Sequence, residues 1–185
     1  MAMNAGNTII PGRGAVFIAP VGTPIPDYNT INPNLDTGAW KSVGHTSRDN
    51  AVSLTQDGGE SETRGSWWDD SIATTTSPVT RTLTVNTLEI GAEQLNLAFN
   101  GQLETASVTG SYKVPAAILP TEQAVFVLAV QGSKRLGVYF SRVSLSVGEM
   151  PTFDPESFFE IQLVGQILVD NNGEYINILH ESLDK

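Results

Sequence analysis

Hydrophobic and polar positions within residues 123–170 follow three runs that predict β-strands. The runs read AVFVLAV, RLGVYFSRVSLSV and SFFEIQLVGQILV, and Gly, Pro, Ser and Asp separate them. The first run is apolar at both parities, which predicts a strand covered on both faces. The third run alternates, with Ile161, Leu163 and Ile167 on one face and polar side chains on the other. Such a strand belongs to a sheet whose second surface meets water or another polar body.

The second run changes phase in its middle. Leu136, Val138 and Phe140 share one face of a strand, whereas the apolar residues after position 142 have the opposite parity. One extra residue restores the alternation, so we expect a bulge or tight bend near 141–142. Farther along, Asn-Asn-Gly at 171–173 predicts a hairpin turn before the last strand, because Asn-Gly tolerates the positive φ of such a turn.

The first half of the chain mixes strands with long polar segments. Its only good helix candidate repeats apolar residues at three and four positions and ends in Asn-Gly. The predicted segments are an N-terminal arm at 1–13, a strand at 14–20, a long loop at 21–39, two short strands or one bent strand at 40–56, a second long loop at 57–77, a strand at 78–90 and the helix at 91–101. We therefore predict a single domain, 1–185, with an all-β sandwich or partial barrel and one short flanking α-helix.

Composition narrows the class of protein. At 185 residues and 40% hydrophobic content the chain suits one domain with a core, and without cysteine it has neither disulfides nor thiol chemistry. We expect no signal peptide and no membrane span, since no long apolar run is present. Ten basic against 20 acidic residues give a formal charge of −10, which argues against ordinary phosphate-neutralising binding of nucleic acid.

Motifs for chemistry are largely missing from the sequence. His45 and His180 lie far apart, outside any cluster with metal-ligand spacing, and the neighbouring carboxylates are typical of solvated loops in an acidic chain. No nucleophile motif or phosphate-binding fingerprint is present. We therefore expect no catalytic residues, no metal and no cofactor.

The adjacent residues Trp67 and Trp68 stand out in a polar loop. Three interpretations stay open: they anchor the loop on its own domain, they are buried against another subunit, or they form a platform for sugars. Tryptophan is enriched at interface hot spots, which favours the second interpretation alongside the first.

Four stretches resemble the major tail tube protein of long-tailed, siphovirus-type bacteriophages of actinobacteria. They are GRGAVFIAP at 12–20, WKSVGHTSRDN at 40–50, GGESETRGSW at 58–67 and DNNGEYINI at 170–178. The resemblance implies a β-sandwich whose copies form hexameric rings, which stack into a hollow tube for DNA ejection. It also implies a non-enzymatic virion protein that is assembled in the host cytoplasm. Its partners would be itself, the tape measure, terminator and baseplate proteins and passing DNA, without membrane binding.

Two polar, nearly uncharged rows fit the lumen of such a tube, because a polyanion slides best along neutral or acidic walls. An ordinary solvent-facing surface would show the same pattern. The predicted lumen residues are Thr80, Thr82, Thr84, Asn86, Glu160, Gln162 and Gln166. The predicted contacts between subunits or rings are Ile9, Ile10, Trp40, Glu60, Arg64, Trp67 and Trp68. The rival functions are another tail ring component, such as a terminator or baseplate protein, a carbohydrate-binding β-sandwich and, third, an enzyme.

Overall fold

A computed structural model describes residues 7–104 and 110–183. Strands make up 44% of it and one short helix accompanies them, which confirms the predicted all-β class. The elements are β1 Arg13–Ala19, β2 Lys41–Ser42, β3 Ser53–Asp57, β4 Ser61–Arg64, β5 Ala73–Thr76, β6 Thr80–Thr87, α1 Ala92–Phe99, β7 Gln102–Glu104, β8 Ser111–Lys113, β9 Thr121–Gln131, β10 Lys134–Val147, β11 Ile161–Ile167, β12 Asn177–His180 and a 3₁₀ turn at Glu181–Leu183.

The main sheet is open and antiparallel, in the order β2-β1-β9-β10-β11-β6-β3, with β12 added beside β10. The long strand β10 pairs with β9 on one side, and on the other side with β12 in its first half and β11 in its second. Its register with β9 shifts between Phe140 and Val143, which confirms the predicted bulge.

The turn after β11 differs from the prediction. The amide of Gly173 donates to the carbonyl of Asp170 at 3.2 Å, and Gly173 has a φ of 83°, so the Asn-Gly turn is present. It does not join two paired strands, however, because β11 and β12 each pair with a different half of β10. The hairpin prediction was wrong for this reason: the bulge divides β10 into two segments, and each takes its own partner.

Strand β9 is covered on both faces, as predicted. Val125 belongs to a cluster that includes Phe140 and Phe99 of the helix. Phe126 belongs to a second cluster, in which the loop between β1 and β2 contributes Trp40. The β1–β9 part of the sheet therefore lies between two hydrophobic layers, and this double burial fixes its strands.

Helix α1 is shorter than predicted but ends where the sequence indicated. Asn100 adopts the left-handed conformation, with φ 48°, and its amide donates to the carbonyl of Asn96. Gln94 is buried although polar, because its Nε2 donates to the carbonyl of Val43 at 3.0 Å. The predicted apolar face is partly displaced, since Ala92 is exposed and Leu97 is buried instead.

Residues 57–77 were predicted as a loop, but they contain a β-hairpin. Strands β4 and β5 pair through Ser61 with Thr76 and Arg64 with Ala73, and both strands are exposed along their length. We call residues 58–79, which leave the sheet after β3 and return at β6, the hairpin arm. Alternating Ser, Glu, Thr and Arg side chains give it no apolar face, so the sequence lacked the usual strand signal.

Candidate assembly surfaces

One face of the sheet is polar across four strands. The side chains of β6, β11 and the second half of β10 alternate, and the apolar set packs toward the helix. On the opposite face, Thr82 lies across from Gln166, Gln166 from Ser144, and Ser144 from Glu122 of β9. We call this surface the polar face. Its centre is a shallow depression lined by Thr80, Thr82, Pro120, Ser144, Ser146, Val164 and Gln166.

The two predicted polar rows meet on this face. Thr82 lies opposite Gln166 and Asn86 opposite Gln162, so residues more than 70 positions apart in the chain form neighbouring pairs. Thr80 and Gln166 are exposed, and Thr82, Thr84 and Gln162 are half-buried. The antiparallel pairing of β6 with β11 brings the rows together, because residues directly opposite share a face.

One end of the polar face is covered by a turn that contacts two of the predicted lumen residues, Asn86 and Glu160. Asn86 is only 7% exposed, and its Nδ2 donates to the carbonyl of Asn50 at 3.3 Å. Glu160 is half-buried and accepts hydrogen bonds from Ser47 at 2.6 Å and Asn50 at 2.8 Å. The turn at 47–50 therefore takes up the polar atoms of both residues, and Asn86 has almost no surface left to offer a tube lumen.

A charge pair lies beside the same face, at the bulge. Arg142 donates from Nε and Nη2 to the two carboxylate oxygens of Glu122, at 2.8 and 2.9 Å. These hydrogen bonds lower the pKa of Glu122 and raise that of Arg142. The sequence predicted the bulge but not this pair. The only available signal was an arginine at the phase break, in the otherwise uncharged second half of the strand.

The tip of the hairpin arm exposes both adjacent tryptophans completely, Trp67 at 105% and Trp68 at 99%. Self-anchoring of the loop is therefore wrong for this chain, since neither side chain packs on its own domain. Glu60 and Arg64 are also exposed, and the guanidinium of Arg64 lies 3.4 Å from the carboxylate of Glu62. The arm thus carries two large apolar side chains outward on a polar stem.

Trp40 is the opposite case and corrects another predicted contact. Its side chain is 3% exposed, its ring lies edge-on to Phe126 and Tyr139, and its Nε1 donates to the carbonyl of Pro24. A residue buried in this way has no surface for a neighbouring subunit.

The described part of the N-terminal arm begins at residue 7 and lies against the turn between β9 and β10. The amide of Ile10 donates to Oε1 of Gln131 at 2.8 Å, while the Ile10 side chain is exposed. Ile9 is half-buried. Positions 1–6 of the predicted arm lie outside the described residues.

A further apolar surface was missed by sequence reasoning. The loop between β10 and β11 exposes Met150, Phe153 and Phe158, although the Phe153 ring also packs at a tilt against Phe159, with ring centroids 5.2 Å apart. The sequence signal was Met150 and Phe153 in a segment treated only as a turn, and Phe158 at the start of the third predicted strand. Large contiguous patches of exposed apolar side chains mark contact surfaces, whereas single exposed apolar residues are ordinary.

Metal-binding clusters are lacking among residues 7–104 and 110–183. No cluster of three or more His, Asp or Glu side chains is placed to hold a metal ion, and no helix there has the length and apolar character to cross a membrane. His180 is buried and shares a 2.8 Å hydrogen bond with Ser182. Asp170 accepts bonds from the amides of Asn172 and Glu174, so its carboxylate organises a turn.

The geometry so far describes an open sheet with one polar face and aromatic side chains exposed at its periphery. A family model described as "Phage tail tube protein" matches residues 1–183 of this chain. The chain belongs to the phage tail tube protein family.

Two relatives support the assignment of this tail tube protein. The chain is 31% identical over 147 residues to "Major tail protein Gp23" of Mycobacterium phage D29, covering 74% of this chain and 72% of the relative. It is 33% identical over 148 residues to "Major tail protein Gp23" of Mycobacterium phage L5, with the same coverage. The tail tube protein is thus a structural component of the virion tail, and it assembles with itself and with other tail proteins.

Proposed function

We propose that copies of this protein form hexameric rings that stack into a hollow tail tube, with the polar face toward the bore through which DNA leaves. Its role is structural and includes no catalytic step. Assembly takes place in the host cytoplasm, where the tape measure, terminator and baseplate proteins are its further partners. Membership of the tail tube family supports the tube; the ring number and the orientation of the sheet are proposals.

The observation that carries the proposal is that one side of the sheet is apolar and buried while the other side is polar. Leu83, Leu145 and Leu163 are buried toward the helix. The opposite side of the same strands is built from hydroxyls and amides, with one valine, Val164, and one ion pair, Arg142 with Glu122. A polar face backed by a core suits the inner wall of a cylinder, which stays wet after assembly while other surfaces are buried.

Charge gives the second support. Hydroxyl and amide side chains neutralise no phosphate, so they release no counterions and lack the electrostatic term that supplies non-specific DNA binding. A wall made of Thr82, Gln166 and Ser144 lets a polyanion slide, and the formal charge of −10 on the whole chain acts in the same direction.

Open edges give the third support. Strand β3 borders the sheet, and all five of its residues are exposed. An edge strand offers unpaired N–H and C=O groups, and closure of sheets into a barrel removes this hazard. A ring in which the edges of neighbouring copies meet satisfies β3 without any additional element.

The hairpin arm and the N-terminal arm supply the contacts between subunits or rings in this proposal. Trp67 and Trp68 are the expected anchors, because both are fully exposed in the monomer and burial of tryptophan against a partner contributes strongly to binding. Ile9, Ile10, Glu60 and Arg64 are the further expected contacts, and all of them keep some or most of their surface exposed.

The test uses the absence of cysteine from the chain, which makes single-cysteine labelling clean. Ser144→Cys marks the polar face, and Ala92→Cys marks the exposed start of the helix on the other side of the sheet. In assembled tubes we expect a small maleimide to label both variants and a maleimide carrying a bulky polymer to label only Ala92→Cys. Labelling of Ser144→Cys by the bulky reagent in intact tubes would reject the lumen assignment.

Negative-stain microscopy of the purified protein separates this proposal from a terminator or baseplate ring. We expect long cylinders, grown by the protein alone or on an initiator complex. Growth that stops at a single ring at every concentration would instead identify a terminating component.

A further inference from the structure

Among residues 7–104 and 110–183, Arg142 is the one basic residue on the polar side of β6, β11 and the second half of β10. Lys134 and Arg135 lie in the first half of β10, outside the polar face. Arg81, on β6, has the opposite parity from Thr82 and lies 4.3 Å from the centre of the Tyr175 ring. Arg48 belongs to the turn at 47–50, where it is adjacent to Asp49. Strands β3 and β11 contribute no basic residue to the face.

The Arg142 side chain is partly exposed to solvent, and its guanidinium is hydrogen-bonded to Glu122. It is 42% exposed, Glu122 is 44% exposed, and two parallel N–H···O bonds join them. Paired in this fork geometry, the guanidinium directs two of its donors at a carboxylate and away from other anions. The local charge of the pair is zero.

Backbone pairing explains why an arginine stands at this position. The amide of Leu168 donates to the carbonyl of Arg142, so this residue takes part in the sheet at the bulge. Across the bulge the β9–β10 register breaks and resumes only at Val143 opposite Gln123. The ion pair bridges β9 and β10 where the ladder is interrupted, which gives the cation a structural use.

We propose that Glu122 masks Arg142 from the phosphates of nucleic acid, so that the bore stays free of binding sites for DNA. The inference rests on the proposed function, in which the polar face lines the bore. Ring symmetry increases the effect, because every copy places the same guanidinium at the same height. A weak phosphate-binding site in one subunit would be repeated around the ring as a circle of positive charges. Glu122 neutralises the arginine in every copy.

The test compares tubes of Glu122→Gln, which frees the arginine, with tubes of the double variant Glu122→Gln/Arg142→Gln, which removes it. The matched control is Glu93→Gln, since Glu93 forms an exposed ion pair with Lys41 on the helix side of the sheet. That control makes the same change in net charge away from the polar face. The probe is a short fluorescent DNA duplex, and its retention by pelleted tubes is measured against salt.

We expect wild-type, Glu93→Gln and double-variant tubes to retain little DNA, and Glu122→Gln tubes to retain it strongly at low salt. For six contacts per ring, the affinity obtained from retention should fall by about 10³-fold between roughly 50 and 200 mM salt. Equal retention by Glu122→Gln and wild-type tubes, or by Glu93→Gln and Glu122→Gln tubes, overturns the proposal.

Assembly of the variant is checked first by microscopy. If Glu122→Gln does not form tubes by itself, DNA retention is measured on mixed tubes that also contain wild-type subunits. If the variant does not enter mixed tubes either, Glu122 has a structural role alone and the masking role is rejected. The Ser144→Cys labelling separates the two levels. Bulky labelling of Ser144 rejects the proposed lumen, whereas a lumenal Ser144 with no DNA retention by Glu122→Gln rejects only the masking.

Discussion

Trp40 and Trp67 are the same residue type in opposite surroundings, and truncating each to alanine should separate folding from assembly. Trp40 is 3% exposed within the core, and Trp67 is 105% exposed at the tip of the hairpin arm. We expect Trp40→Ala to destabilise the monomer and Trp67→Ala to leave it unchanged. For tube growth of the folded protein we expect the reverse, with Trp67→Ala impairing growth more than Trp40→Ala.

The effect on folding follows from burial. Removing a buried tryptophan costs about 3–5 kcal/mol, and Trp40→Ala also leaves the carbonyl of Pro24 without its donor. For a chain of this length, each kcal/mol shifts Tm by about 2–4 °C, so we expect Tm to fall by roughly 6–20 °C. Trp67→Ala removes no contact in the monomer, and its effect should stay within about 0.5 kcal/mol.

The effect on assembly follows from the area that the partner would cover. A tryptophan buries about 150–250 Å², which at ~25 cal/mol per Å² corresponds to about 4–6 kcal/mol before losses in ordering. Truncation of an interface anchor typically costs 2 kcal/mol or more, or about 30-fold in affinity. The critical concentration for tube growth should therefore rise at least about 30-fold.

Two measurements check this pair of variants. Calorimetry under conditions without tubes gives Tm, and light scattering against protein concentration gives the critical concentration, with Trp68→Ala as a second change at the tip. The reasoning is refuted if both tip variants polymerise at the wild-type concentration, or if Trp67→Ala lowers Tm as much as Trp40→Ala does.

Three further changes test the fold and the arm. Gly165→Ala places a Cβ 2.4 Å from Cγ1 of Val143, and we expect a loss of about 1–3 kcal/mol in the free energy of unfolding, measured by urea denaturation. Gln94→Ala removes one of two donors to the carbonyl of Val43, which keeps its hydrogen bond from the hydroxyl of Thr87, so a loss of about 0.5–1.5 kcal/mol is expected by the same method. An unchanged midpoint contradicts that expectation. Replacing residues 60–76 by a short turn should give a folded monomer that does not form tubes by electron microscopy, since Gly59 and Ser77 are already joined by a hydrogen bond; normal tubes would exclude the arm as a contact.

Alternation of apolar and polar residues predicted much of the fold because it records which side of a strand is dry. It indicated that β9 is covered on both faces and that the phase of β10 breaks near 141–142. The same alternation predicted the polar rows of β6 and β11. Strand β4 consists of polar and charged side chains and β5 of one alanine and three threonines, so neither shows an apolar alternation, and for that reason the hairpin arm was predicted as a loop.

Alternation along the chain could not predict which distant segments pair with one another. The polar rows meet only because β6 and β11 are neighbours, and Arg142 meets Glu122 only because β9 and β10 keep a particular register through the bulge. Exposure was equally undetermined, since Trp40 and Trp67 both stand in polar stretches of the chain. Tertiary packing buries one and leaves the other in solvent.

The amino-acid sequence by itself determined the all-β class, the faces of the long strands, the helix end at Asn100 and the resemblance to tail tube proteins, because periodicity and turn chemistry are local properties. Only the tertiary structure decided which polar residues share a surface, which tryptophan is free for a partner and that the arginine of the polar face is paired. Those outcomes depend on strand order and register, which arise from contacts between residues far apart in the chain.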